Sequence, residues 1–166
     1  MKKIIYMIIN LYNTIISLYF LRKCDLHLDK KEYRKAYNVI NKINKSFAKD
    51  LFYRYYLYNG FILFMLEKFD NSITYFNESI SIIDKAYEKN MINSDERDYL
   101  KEYSYRTILF MFKYLDELYK SKQYLSEIDN LEYDIKNVKK SLFYRFPFVD
   151  IKKWDIETER RLNDSK

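Results

Sequence analysis

The chain of 166 residues contains one glycine, Gly60, and one proline, Pro147. Strand-rich folds need turn residues at frequent intervals, and phosphate-binding loops need several glycines. The sequence therefore argues against a sheet-based domain and against the usual glycine-rich nucleotide loops. Apolar residues recur at intervals of three and four along the chain, which is the period of an amphipathic helix. We predict an all-α fold of about seven helices in a single domain, residues 1–166.

The stretch from Tyr56 to Ile80 predicts two short helices that contact each other. Gly60 and Ser72 have almost no side chain, so two helix backbones can approach closely at these positions. Residues 67–68 mark the turn between the helices. Large apolar side chains seven positions apart share one face of each helix. The residues of this pattern are Tyr56, Gly60, Leu63, Phe69, Ser72, Phe76 and Ser79.

At these positions the sequence resembles a tetratricopeptide repeat, a helix–turn–helix unit of about 34 residues. The resemblance implies a scaffold that binds other proteins. Tyr33 precedes Phe69 by 36 residues, which is close to the period of the family. Asn59 replaces an apolar residue of the family pattern, and Asp84 stands where a proline usually ends the repeat. We therefore expect the second helix to continue to about Lys89.

The resemblance divides the chain into four parts. Repeat one spans residues 17–48 and repeat two spans residues 53–89. Residues 94–142 form a divergent helical hairpin, with Glu127 at a position where the family has a small residue. Because the end unit of a repeat array exposes its stacking face, residues 147–166 are expected to form a C-terminal capping helix. The predicted architecture is a short tetratricopeptide-like solenoid of stacked antiparallel hairpins.

Residues 4–21 carry no charge, and Lys2 and Lys3 precede them. A signal peptide or a membrane span could have this composition. However, no small-residue cleavage site follows, and a stretch of 18 residues is at the short end for crossing a bilayer. We expect a buried helix that packs against the second helix, with the membrane segment and the signal peptide as alternatives. The polar residues of this stretch fall in one helical stripe: Asn10, Asn13, Thr14 and Ser17.

The search for catalytic and metal-binding residues starts from His27 and Cys24, the single histidine and the single cysteine. His27 and Asp29 are too few to hold a metal ion. No third group orients a Cys24–His27 pair for nucleophilic catalysis. The acidic residues of 95–102 begin a helix, where carboxylates interact favourably with the helix dipole. We therefore expect no enzyme, no cofactor and no metal site, and a lone cysteine favours a reducing, cytoplasmic location.

Candidate partner-binding residues lie on the side of the predicted helix that faces away from Gly60. In the tetratricopeptide family this side lines the concave ligand groove, and exposed apolar side chains mark interaction sites. The groove is either open, or covered by the third hairpin or the last helix. The candidates are Arg54, Leu57, Phe61 and Phe64, with Phe112 at the analogous place in the third hairpin.

The expected function is a non-enzymatic module that holds one protein partner, as a toxin-neutralising immunity protein or as a secretion-type chaperone or adaptor. The net charge of +6 is spread along the chain and acts mainly on solubility. One alternative is a nucleic-acid-binding or regulatory protein that uses the basic C-terminal half, where Tyr144 and Trp154 lie among lysines and arginines. Another alternative is a scaffold tethered to a membrane through residues 4–21.

Overall fold

The computed structural model describes residues 2–44, 53–115, 122–132 and 136. These residues form six α-helices and no strand, which confirms the all-α prediction for this part of the chain. The predicted C-terminal cap, residues 147–166, lies outside the described residues. The helices are α1 (Lys2–Asp29), α2 (Tyr33–Ile40), α3 (Tyr53–Met65), α4 (Phe69–Glu88), α5 (Ser94–Tyr114) and α6 (Lys122–Asp129).

Each described helix packs extensively against the helix that follows it in sequence. In the α3–α4 pair, Phe64 contacts Phe69 beside the turn, while Tyr56 contacts Tyr75 farther from it. Contacts that spread outward from the turn in this way mean that the two helices run antiparallel. The helix α4 ends at Glu88, so the prediction that it continues past Asp84 to about residue 89 is confirmed.

Three tight turns reverse the chain, and each contains one residue in the left-handed backbone conformation. These residues are Lys31, Glu67 and Asn90, with φ values of 57°, 59° and 55°. In each turn, a peptide N–H just beyond the helix donates to a carbonyl five residues earlier, which satisfies a carbonyl that the helix end would leave unpaired. The three bonds are Glu32 to His27 at 2.8 Å, Lys68 to Leu63 at 2.9 Å, and Met91 to Ala86 at 2.9 Å.

The helix α1 is buried along only part of its length. From residue 17 onward one side of it lies in the core, through Ser17, Leu21, Cys24 and Leu28. Nearer its start, large apolar side chains are exposed from Ile4 to Ile15. The prediction of a buried N-terminal helix is therefore wrong for this part of α1. Within the described residues, no helix combines the length and apolar character that crossing a membrane requires.

Candidate interaction surfaces

The rotation of α3 is fixed by its close contact with α4. The hydroxyl of Ser72 donates to the carbonyl of Gly60 at 2.6 Å. A Cβ atom placed on Gly60 would lie 3.1 Å from ring carbons of Phe76, a side chain that is fully buried. The predicted approach of two helix backbones at Gly60 and Ser72 is therefore confirmed.

The α1–α2 pair has a similar contact, 36 residues earlier in the chain. The thiol of Cys24 donates to the carbonyl of Ala36 at 3.7 Å, and both side chains are fully buried. Adding 36 to these numbers gives Gly60 and Ser72, the contact residues of α3 and α4. Small residues thus lie at equivalent positions of the two helix pairs, where large side chains would hold the helices apart.

The five candidate partner-binding residues are buried to different extents. Leu57, Phe61 and Phe112 are buried, whereas Arg54 and Phe64 are half-buried. Leu57 therefore contributes to the core. The first four candidates lie on one side of α3, while Phe112 lies on α5, in contact with α6.

Ring contacts connect the candidate side of α3 with the helices on either side of it. The ring of Phe61 meets Tyr33 of α2 edge-on, with 6.3 Å between centroids. The ring of Phe64 meets Phe110 of α5 at 5.6 Å. Since α5 belongs to the third predicted hairpin, that hairpin covers part of Phe64. Phe112 packs instead against Tyr124 of α6 at 5.7 Å.

We define the groove surface as the half-buried side chains Tyr33, Arg54, Phe64 and Phe110. They come from three helices; the ring contacts of α3 reach Tyr33 and Phe110, and Arg54 lies on the same side of α3 as Phe64. The sequence indicated Arg54 and Phe64 through their distance from Gly60. Tyr33 and Phe110 were not among the sequence candidates, because their place beside α3 depends on how α2 and α5 pack.

Arg54 belongs to a cluster of polar groups that joins α1 to α3. The hydroxyl of Tyr58 donates to the carboxylate of Asp25, and the Nε of Arg54 donates to the hydroxyl of Tyr53 at 3.1 Å. Burial raises the pKa of Asp25 to about 6, against the opposing effects of the Tyr58 hydrogen bond and the Arg54 charge. Burial lowers the pKa of Arg54 from its ordinary value. The guanidinium of Arg54 thus lies near two acidic side chains of its own chain, Asp25 and Glu96.

The exposed apolar side of α1 is a second candidate surface. Ile8, Leu11 and Ile15 retain 61%, 63% and 57% of their accessible area. They lie on the side of α1 opposite the buried Ser17 and Cys24, because the helix turns by about 100° per residue. We call this surface the apolar face of α1.

Cys24 and His27 form hydrogen bonds with other residues and not with each other. Burial raises the pKa of the Cys24 thiol well above its ordinary value, which disfavours the thiolate that nucleophilic catalysis needs. The Nδ1 of His27 lies 2.7 Å from the Oε2 of Glu32. Among the described residues, no group of three His, Cys, Asp or Glu side chains is placed to hold a metal ion.

Comparison of the chain with protein-family models, with curated proteins and with solved structures finds no match. The features that bear on function are therefore the groove surface and the apolar face of α1. Most of the basic C-terminal half, including Tyr144 and Trp154, lies outside the described residues.

Proposed function

We propose that the protein is a non-enzymatic, tetratricopeptide-like repeat protein that holds one protein partner on its groove surface. The observation that carries the proposal is the equivalence of two helix pairs. Cys24 and Ala36 meet between α1 and α2, and Gly60 and Ser72 meet between α3 and α4, at an offset of 36 residues. The first helix donates the hydrogen bond in the first pair, and the second helix donates it in the second pair. An array of such pairs creates an extended surface, which repeat proteins use to bind partners.

The turns of the two pairs support the same repeat. Lys31 and Glu67 are also 36 residues apart, and both are left-handed residues followed by the same type of hydrogen bond. The same type of turn also follows α4, at Asn90, so the turn agrees with the 36-residue offset but does not define it. The small residues at the two helix contacts, at the same 36-residue offset, are what favours a duplicated unit over two unrelated hairpins.

The groove surface has the chemistry of a protein-binding site. Tyrosine and arginine are enriched among the residues that dominate affinity at protein interfaces, and other aromatic side chains also bury large areas. Tyr33, Phe64 and Phe110 provide rings from three helices, and Arg54 adds a positive charge ten residues before Phe64 on the same side of α3. The partner that fits presents apolar side chains that pack against these rings.

Two biological roles use such a surface in a small protein. An immunity protein covers a cognate toxin, and a secretion-type chaperone or adaptor holds its substrate until delivery. Both roles place the protein in the cytoplasm, with one partner and without a catalytic step. The identity of the bound protein decides between them.

The test is purification of the tagged full-length protein from its native cells at about 50 and 200 mM salt. We expect one protein in stoichiometric amount at both concentrations. The variants Arg54→Ala and Phe64→Leu should weaken its binding at least about tenfold, since both are central to the groove surface. Phe64→Leu keeps the side chain apolar while removing the ring.

The control is Tyr87→Ala, which removes an exposed ring on α4, outside the groove surface. Circular dichroism and thermal melting establish that each variant is folded. A partner that binds all three variants as tightly as wild type would contradict the assigned site. Recovery of nucleic acid that is lost steeply between the two salt concentrations would favour the nucleic-acid alternative instead.

A further inference from the structure

We propose that α1 pairs in parallel with α1 of a second copy of this chain, through a heptad seam on its apolar face. The seam consists of Ile4, Ile8, Leu11, Ile15 and Leu18. It is separate from the groove surface, so the dimer does not depend on the function proposed above.

The spacing of the seam residues is that of a coiled coil. Successive members are 4, 3, 4 and 3 positions apart, which keeps them in one line on a helix that packs along another helix. In heptad notation Ile8 and Ile15 take position a, while Leu11 and Leu18 take position d. Isoleucine at a with leucine at d favours two parallel strands.

Among the residues that the structure describes, none covers this seam. All five seam residues are exposed, at 63%, 61%, 63%, 57% and 39% in chain order. The opposite side of α1 carries the buried residues Ser17 and Cys24, through which the helix docks on its own chain. The solvent-facing side of α1 is therefore apolar. In an ordinary surface helix the solvent-facing side is polar and the apolar side faces the core.

The area of the apolar face is sufficient for a stable dimer. Flanking residues Ile5, Tyr12 and Tyr19 are also more than half exposed and widen the seam on one side. Eight large side chains with roughly 100 Å² each provide about 800 Å² per copy, which is the contribution of each partner to a standard interface. The stretch without charge lies between Lys3 and Arg22 and contains the whole seam.

A second copy is the occupant that this surface fits. Residues 4–21 carry no charge with which to select a different partner by complementary charges. An identical seam provides side chains at matching heptad positions, and a two-fold axis brings the same patch of both copies together. Parallel pairing places each seam residue beside its own counterpart.

The oligomeric state of the full-length protein tests the proposal. We expect sedimentation equilibrium between 1 and 100 μM to show a dimer. Ile15→Glu should raise the dimer dissociation constant at least about 100-fold, because it places two carboxylates in the seam. The matched control is Ile9→Glu, at a site 50% exposed on the same helix but outside the seam, which should change the constant less than about threefold.

Cross-linking tests the parallel arrangement. Leu18→Cys should form a disulfide between two copies under mild oxidation, whereas the wild type, with its buried Cys24, should not. A wild-type monomer at 100 μM overturns the proposal, as does equal weakening by Ile15→Glu and Ile9→Glu. A dimer that Leu18→Cys fails to cross-link overturns the parallel pairing. Binding of a monomer to phosphatidylcholine vesicles would assign the apolar face to a lipid surface instead.

Discussion

The first part of α1 and the whole of α3 have similar compositions and opposite environments. Residues 4–21 contain no charged side chain, and α3 contains one, Arg54. Yet buried residues lie on every side of α3, from Tyr55 to Leu63, while α1 exposes Ile4 to Ile15. The difference lies in the neighbours of each helix. The helix α3 packs against both α2 and α4, and it also receives contacts from α1 and α5.

The lengths of the partner helices explain the exposure of α1. It has 28 residues and is about 42 Å long, whereas α2 has 8 residues and is about 12 Å long. An antiparallel partner of that length covers only the last turns of α1 before the turn at Lys31. An apolar composition therefore indicates that a helix needs apolar neighbours. Whether the same chain provides those neighbours depends on the length of the helix that packs against it.

The largest expected effect tests the close packing of α3. Gly60→Leu should lower the free energy of unfolding by about 3 kcal/mol or more, because the new side chain must displace the buried ring of Phe76. Phe76 is itself packed against Tyr103 of α5, with 5.9 Å between the ring centroids. Urea denaturation measures the change, and Ser81→Leu on the exposed side of α4 is the control. Equal stability of Gly60→Leu and wild type would show that α3 is not closely packed at Gly60, and would contradict the contrast between a tightly packed α3 and an exposed α1.

The second prediction compares one substitution in the two regions. Ile62→Ala in α3, where the side chain is fully buried, should cost about 3 kcal/mol. Ile8→Ala in α1, where 61% of the side chain is exposed, should change the stability of the monomer by less than about 0.5 kcal/mol. Denaturation at low protein concentration keeps dimer formation out of the measurement. Similar losses in both variants would show that the first part of α1 is packed as tightly as α3.

The third prediction concerns Asp25, which connects the two regions through its hydrogen bond with Tyr58. Its folded pKa of about 6 lies above the ordinary value of 3.8, so the folded state holds the proton more tightly. This contribution to stability is present below pH 4 and is lost as the pH rises toward 6. Because Asp25 is partly exposed, we expect Asp25→Asn to gain about 1 kcal/mol over wild type between pH 4 and pH 7.

Urea denaturation at the two pH values measures this gain. The side-chain amide that Asp25→Asn introduces can still accept the hydrogen bond from Tyr58, so the variant isolates the effect of the charge. Glu78→Gln removes a carboxylate from an exposed position on α4, away from Asp25, and is the control. A gain independent of pH, or a gain of equal size in the control, would contradict the burial of the Asp25 charge between α1 and α3.

The smallest expected effect lies in the turn between α1 and α2. Hydrogen bonds from Lys35 and His27 lower the pKa of Glu32 to about 2. A lowered pKa stabilises the folded state at higher pH, and the stabilisation is lost as the pH falls from about 4.5 toward 2. Glu32→Gln should therefore slightly lower the melting temperature at pH 7 and leave it unchanged near pH 2. A larger loss at pH 2 than at pH 7 would show that Glu32 acts through packing rather than charge.

Local spacing was enough to predict the parts of the fold that depend on neighbouring residues. The contact of Gly60 with Ser72 follows from two small residues 12 positions apart across a short turn. The length of α4 follows from the absence of a proline at Asp84. Both features are determined by the α3–α4 segment itself, so the sequence of that segment contains the necessary information.

The environment of the candidate site depends on parts of the chain that are far apart. The spacing from Gly60 places Arg54 and Phe64 on one side of α3, but it does not specify what packs there. Phe110, 46 positions after Phe64, covers part of that side chain. The periodicity of α1 likewise identifies an apolar stripe, while the shortness of α2 leaves that stripe exposed.

The left-handed turn residues are positions where substitution should raise the thermal stability. Lys31 and Glu67 carry side chains at φ values that glycine adopts without steric conflict. Replacing each by glycine should relieve about 1 kcal/mol of backbone strain, and neither position belongs to the groove surface or to the seam. The two substitutions Lys31→Gly and Glu67→Gly should therefore raise the melting temperature of the protein.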